Sequence, residues 1–178
     1  TSSAVNEFTI TNAATGNAPA LSVTGDDANV DLNLTPKGYG RVTFNGMGKI
    51  LSTAEKITIS ATAATGTINY DVITQSVLYY TSASAANFTV NLRGDGSNSM
   101  NNIMDTGESV TVAFLVTNTG TPYYNNVVQV DGSGVTPEWQ GGAAPSAGNA
   151  NSVDSYSYTI VKTGDAAFTV FASQVQFA

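Results

Sequence analysis

Apolar and polar residues trade places at a period of two along most of this chain, the spacing that sends alternate side chains to opposite faces of a β-strand. In residues 1–49 the alternating segments are short: Phe8-Thr-Ile10, Leu21-Ser-Val23, Val30-Asp-Leu-Asn-Leu34 and Val42-Thr-Phe44. Between them lie Thr15-Gly-Asn-Ala-Pro19, Gly25-Asp-Asp-Ala-Asn29 and Pro36-Lys-Gly-Tyr-Gly40. Gly, Asn and Asp there supply positive φ and Pro a fixed φ, which is turn chemistry.

From Lys49 onward the alternating segments lengthen. Lys56–Ser60, Thr67–Ile73, Ser76–Tyr80 and Phe88–Leu92 come first, followed by Ser109–Val116, Tyr123–Val130, Val135–Trp139, Tyr156–Val161 and Ala167–Phe177. Nine candidate strands at this spacing predict an antiparallel β-sandwich or jelly-roll-like domain over residues 50–178. The apolar run Val110–Val116 is expected to be buried on both faces or central in a sheet, and Pro137 to lie on an edge strand, because proline cannot donate to a ladder. Gly94-Asp-Gly96 and Asp131-Gly132 read as hairpin turns. Two interruptions remain: one helical turn over Ser99–Asp105, capped by Ser97 or Ser99 and ended near Gly107, and an uncharged small-residue loop over residues 141–151.

The first 49 residues carry too few large apolar side chains for a core of their own. They are expected to form a thin β stem or oligomerisation segment. Wrapping several copies about one axis would bury the apolar faces and pair the strand edges. Leu21, Val23, Val30, Leu32, Leu34, Val42 and Phe44 are the candidate oligomer core.

Composition reinforces the strand reading. Charged residues make up only 11% of the chain, well below the roughly 25% of an average domain, so the usual material of exposed helices is scarce. Six Lys and Arg against 13 Asp and Glu give a net charge of −7 and no basic stripe, so nucleic acid is not an expected partner. Apolar runs are also too short to span a bilayer, so no membrane insertion is expected. The chain begins at Thr1 with no charged-then-apolar leader, the expectation for a mature or excised piece, or for a sequence whose true start is missing.

The chain contains no His and no Cys. Disulfides, Ser-His-Asp and Cys-His triads, and nitrogen or sulfur metal sites are thereby excluded. Carboxylate chemistry needs two acids on facing positions, and pairs such as Glu108 with Glu138, or Asp71 with Asp154, are arbitrary on sequence alone. No catalytic residue, cofactor or metal is therefore assigned. Asp26, Asp27, Asn29 and Asp31 gather oxygen ligands around one turn, but Asp and Asn there also cap their own backbone, and the spacing lacks the loop of an EF-hand. Pro36–Gly40 lacks the spacing of a phosphate loop, and Asn87-Phe-Thr89 is a three-residue glycosylation match that reads as a strand start.

Aromatic residues are the better recognition candidates. Trp139, Tyr123 and Tyr124 flank turns near the Asp131 hairpin and the neutral loop, where a sugar's apolar face could stack, while core or subunit packing is the competing reading for Trp139. Tyr156, Tyr158, Tyr79 and Tyr80 are expected to pack in or across a sheet.

The stretch from Asn12 through Leu34 to Val42, with Thr-Pro-Lys-Gly-Tyr-Gly at residues 35–40, resembles segments of tail-fibre and other fibrous virion proteins of tailed bacteriophages. Tyr156-Ser-Tyr-Thr-Ile-Val-Lys-Thr-Gly-Asp-Ala-Ala-Phe-Thr-Val, with the closing Gln176-Phe-Ala178, is similar to terminal domains in structural proteins of marine cyanobacterial phages. The resemblance implies a non-enzymatic virion protein, commonly a homotrimer, with a shaft leading to a tip that contacts the host surface and its glycans. It equally accommodates a capsid or tail decoration protein that binds other virion proteins and no receptor. A bacterial surface or filament subunit shares the low-charge, Thr- and Asn-rich style.

Overall fold

The computed structural model describes residues 5–177, so Ala178 of the closing motif lies outside the described residues. The chain divides into two compact units, with the division between Lys49 and Ile50. In the first, β1 (Asn6–Thr11) pairs antiparallel with β2 (Ala20–Gly25). The register sets Phe8 opposite Val23 and Ile10 opposite Leu21, so the large apolar side chains share one face of the hairpin. Phe8 and Ile10 are nevertheless 66% and 77% exposed. The Pro36–Gly40 turn forms as expected, with the Gly40 N–H bonded to the Lys37 carbonyl at 3.1 Å. Val30–Leu34 and Val42–Phe44 do not form strands. A strand needs a neighbour to take its backbone groups, and a single chain supplies none at these segments.

The second unit is a two-sheet β-sandwich, so the all-β sandwich expectation holds. Its strands are β3 (Ile57–Ala63), β4 (Gly66–Asp71), β5 (Val77–Ser82), β6 (Phe88–Arg93), β7 (Ser109–Thr117), β8 (Asn125–Val130), β9 (Ser133–Val135), β10 (Glu138–Trp139), β11 (Val153–Gly164) and β12 (Ala167–Phe177). One sheet has the order β10-β12-β11-β7-β5-β3 and the other β4-β6-β8-β9.

The pairing differs from the antiparallel expectation in a systematic way. From β3 to β8 the chain changes sheet at every step, so β3, β5 and β7 run parallel in one sheet and β4, β6 and β8 parallel in the other. A parallel pair needs a crossover of a dozen or more residues, usually helical. Here the crossover is a strand of the facing sheet. Period-two alternation reports which face a residue takes but not the direction of the neighbouring strand, which is why the sequence pattern fits both arrangements. Antiparallel pairing enters only at the C-terminal side, where β11 joins β7 and β12, and at β8–β9.

Local signals explain the remaining joints. Asp131 and Gly132, at φ of 52° and 80°, make the predicted hairpin between β8 and β9. Gly94-Asp-Gly96 is not a hairpin turn. It leads instead to a short helix, α1 (Met100–Ile103), and the Asp95 carboxylate caps the bend by accepting from the Ser97 and Asn98 N–H groups at 2.7 and 2.8 Å. Those bonds hold the Asp95 carboxyl below its ordinary range. The helix begins at the predicted Ser99 cap, which accepts from the Asn102 N–H. Its N-terminal N–H groups at Met100 and Asn101 are taken by the Asp131 carboxylate, and the buried Lys162 ammonium closes the other end on the Asn101 and Met104 carbonyls at 2.6 and 2.8 Å. The predicted strand Val135–Trp139 is split at Pro137 into β9 and β10, each the edge of a different sheet, so the chain changes sheet at the residue that cannot pair.

The core lies between the sheets. β7 is central as predicted, with Val112, Phe114 and Val116 fully buried on one face and Ala113 and Leu115 half-buried on the other. Phe88 of the smaller sheet stands edge-on to Phe114 and to Tyr156 of the larger one, at centroid distances of 5.7 and 6.0 Å, and Tyr156 stacks on Tyr158 at 6.3 Å. Burial raises both tyrosine hydroxyls above their ordinary pKa. Tyr80 continues the cluster by meeting Phe114 edge-on at 5.4 Å. Replacing Phe114 by Ala is expected to cost about 3–5 kcal/mol, measured by urea denaturation followed through the fluorescence of Trp139, the sole tryptophan.

Candidate functional site: an uncharged aromatic groove

The change of sheet at Pro137 leaves a concavity of about 490 Å³ beside the edge of the smaller sheet. Its floor is Asn125–Val128 of β8, one wall is Gly134–Pro137 with Trp139, and the other wall is Ala144 and Pro145 of the long loop. Tyr124 closes one end. Among the described residues no Asp, Glu, Lys or Arg lines it. β9 pairs with β8 only as far as Val135 opposite Val128, and Pro137 brings no N–H, so Asn126 and Val127 form a stretch of β8 that β9 does not cover. On its other side Trp139 borders a second hollow, lined by Glu138, Gln140, Ser157, Thr159, Phe171 and Ser173.

Two of the three aromatic residues singled out in the sequence, Trp139 and Tyr124, therefore share one groove. Tyr123 is not part of its lining, and its N–H bonds the Asn118 side-chain oxygen at 3.2 Å. Trp139 is half-buried. It packs on the core, its β10 position pairing with Ala172, while part of the indole faces the groove. Gly141 and Gly142, both near φ of +80°, turn the chain away immediately after it, a conformation that side chains disfavour.

A buried polar network sets the loop wall. Asp154 is fully buried on β11, where its carboxylate accepts from the Asn118 amide at 3.1 Å, the Gln174 amide at 3.1 Å and the Asn149 N–H at 3.1 Å. Gln174 also donates to the Tyr156 hydroxyl, which accepts from the Asn125 N–H, and Asn125 in turn accepts from Tyr158. The Asn118 oxygen accepts a short bond from Ser84. Asn125 thus belongs to both the network and the groove floor. Burial raises the Asp154 carboxyl above its ordinary pKa, and the bonds from Asn149, Gln174 and Asn118 oppose that rise. Gly148 sits against this network so closely that a Cβ would fall 2.4 Å from the Tyr123 carbonyl and 2.8 Å from the Asp154 carboxylate. Glycine at position 148 is thus a packing requirement.

Sequence reasoning missed Asp154, Asn118, Asn125 and Gln174. For Asp154 a signal existed: it shares the phase of Tyr156, Tyr158 and Ile160, so an inward-facing β11 carries the carboxylate into the core. The acid pairs named from sequence have separate engagements. Asp71 forms an ion pair with Arg93 at 2.6 Å, and the Glu108 carboxylate accepts from the Asp105 N–H at 2.8 Å. Around the Asp26–Asp31 turn, Asp27 accepts from the Asn6 side chain at 2.7 Å. Among the described residues no group of three or more acidic, His or Cys side chains is placed to hold a metal ion, and no helix is long and apolar enough to cross a membrane.

The groove is suited to a neutral ligand that offers an apolar face to aromatic rings and hydroxyls to amide and backbone groups. Compared with family models, curated proteins and solved structures, the chain matches none.

Two outcomes follow from the network. Gly148→Ala is expected to destabilise the domain by about 1–3 kcal/mol through overpacking, read as a lower urea midpoint at an unchanged m-value. Because the folded-state pKa of Asp154 is raised, its contribution is fully present below the unfolded-state pKa and lost as pH rises through the folded-state value. The gap in melting temperature between wild type and Asp154→Asn should therefore move in favour of wild type on acidification. A gap that stays constant with pH would show that Asp154 carries no such linkage.

Proposed function

We propose that this chain is a non-enzymatic structural component of a phage virion, a fibre or spike element that assembles as a homotrimer and acts in attachment to the host surface. The observation that carries this reading is the uncovered apolar face of the N-terminal unit. Phe8, Ile10 and Leu21 stand together on one side of a two-stranded hairpin, and Leu32, Leu34, Val42 and Phe44 are all at least 40% exposed. Val23 and Val30 are half-buried. A two-stranded hairpin is marginal in water, and apolar surface left open along a whole segment is the surface that partner copies cover. The number three and the virion setting come from the resemblance to phage fibre proteins; the open face supports assembly as such.

Attachment rests on the groove. An uncharged site with Trp139 and Tyr124 suits a host-surface glycan, and three weak sites on one assembly raise avidity without new contacts. Self, other virion proteins and host glycan are the partners of this reading, at the surface of an extracellular particle. Nucleic acid and membrane insertion have no part in it, in keeping with the charge of −7.

Light scattering at micromolar concentration is expected to give three times the single-chain mass, and Phe8→Ser with Ile10→Ser to lower it. A single-chain mass for the wild type would overturn the assembly. Trp139→Ala is expected to weaken binding to purified host-surface polysaccharide at least tenfold, the order of one lost aromatic stacking contact. Unchanged binding removes the groove as the receptor site. Gold-labelled antibody on capsid faces, with none on fibres, would identify a decoration protein instead.

A further inference from the structure

The outer face of the six-stranded sheet, opposite the core, carries an organised apolar surface. The strand register places its side chains in rows that run across the sheet. One row is Ser173, Ser157, Ala113, Val77 and Ile57; the next is Val175, Ser155, Leu115, Tyr79 and Ile59. Phe177, Val153 and Thr117 begin a third row, and Phe171, Thr159 and Thr111 flank the first. Charge enters these rows only at the β10 end, where Glu138 pairs with Phe171.

The relief is as ordered as the chemistry. Along β12, Val175 and Phe177 form a ridge, each about half exposed, which the smaller Ser173 separates from the half-exposed Phe171. Beside it β11 presents only Ser155, Ser157 and Thr159, a strip of small side chains. Beyond that strip the surface rises again through Leu115 and Tyr79 to Ile59, which is 66% exposed on the edge strand β3. One face therefore holds both a ridge and a trough parallel to it.

We propose that this face is an interface between copies of the chain, the β12 ridge of one copy lying in the β11 trough of the next. The inference rests on the assembly proposed above and adds the surface that orders it within the C-terminal unit. Three arguments select a second copy as the occupant. Ridge and trough lie side by side on the same surface, so each copy offers a neighbour both halves of the contact, and a head-to-tail contact of this kind forms a ring where the rotation between successive copies closes. At a net charge of −7 copies repel one another across charged surfaces, and rows without charge are where that repulsion is least, while an oppositely charged partner gains nothing there. With strands about 4.8 Å apart and about 6.8 Å per two residues along each, the face spans about 500–600 Å² before allowing for relief. That is most of the ~800 Å² per partner found in stable interfaces. The edge of β3, which among the described residues has only β5 as a neighbour, borders the same surface, and an apolar edge strand of this kind is one that folded proteins cover.

The full chain serves for the test. Ser157→Arg, which fills the trough with a charge, and Val175→Asp, which charges the ridge, are each expected to weaken association more than tenfold by light scattering across a dilution series. Thr67→Arg, exposed on β4 of the other sheet, is expected to keep the wild-type mass. Because the chain has no cysteine, a second measurement tolerates any folding defect of the charged variants. Ser157→Cys and Val175→Cys chains, mixed and oxidised, are expected to yield cross-linked dimer in excess of either chain alone. Charged variants that keep the wild-type mass, or mixtures that give no excess of cross-linked dimer, would overturn the interface. If the wild type is an oligomer that dissociates only on Phe8→Ser with Ile10→Ser, the assembly stands and this surface falls. A single-chain mass for the wild type removes both.

Discussion

The second unit depends on Phe88 standing edge-on between Phe114 and Tyr156. Phe88 comes from the smaller sheet and the other two rings from the larger one, and their contact fixes the spacing and lateral position of one sheet over the other. Winding from β3 to β8 makes this contact possible. Because each strand is followed by one in the facing sheet, every pass deposits inward side chains on both sides of the core in turn. Phe88, Val90 and Leu92 on β6 meet Val112, Phe114 and Val116 on β7 in this way. The antiparallel β11–β12 hairpin then extends the larger sheet and adds Tyr156 and Tyr158 to the same ring cluster.

Beside the apolar packing lies a buried polar network, and it shares Asn125 with the groove. Asp154, Asn118, Gln174 and Asn125 hold backbone and side-chain groups from four strands and from the loop after Trp139. A buried carboxylate is costly, and this one accepts from the amide groups of Asn118, Asn149 and Gln174. Its consequence is positional: the loop that supplies Ala144 and Pro145 to the groove is tied down at Asn149, next to the closely packed Gly148.

Two surfaces of the molecule stay apolar without cover: the hairpin face at Phe8 and Ile10, and the outer face of the six-stranded sheet at Ile59 and Val175. Low charge makes both tolerable to a like-charged neighbour. The self-assembly proposed above would answer both with one kind of partner.

Much of this was written in the sequence. Period-two alternation located every long strand of the second unit, Ser99 marked the helix start, Asp131-Gly132 marked the hairpin, and Pro137 marked the edge, because each is a local consequence of backbone sterics or of a missing N–H. The absence of His and Cys fixed which chemistries the chain cannot perform. Strand direction was beyond reach, since alternation is the same for a parallel and an antiparallel neighbour. So was the failure of Val30–Leu34 and Val42–Phe44 to form strands, because pairing is a property of what lies alongside. Trp139 and Tyr124 were visible as candidates, yet only the sheet change at Pro137 brings them into one groove. Asp154 had the phase of a core residue, but its amide partners come from positions 118, 149 and 174. Sequence determines what each residue can do locally. Contacts between distant segments decide which of those capacities meet, and that meeting is what the tertiary structure supplied.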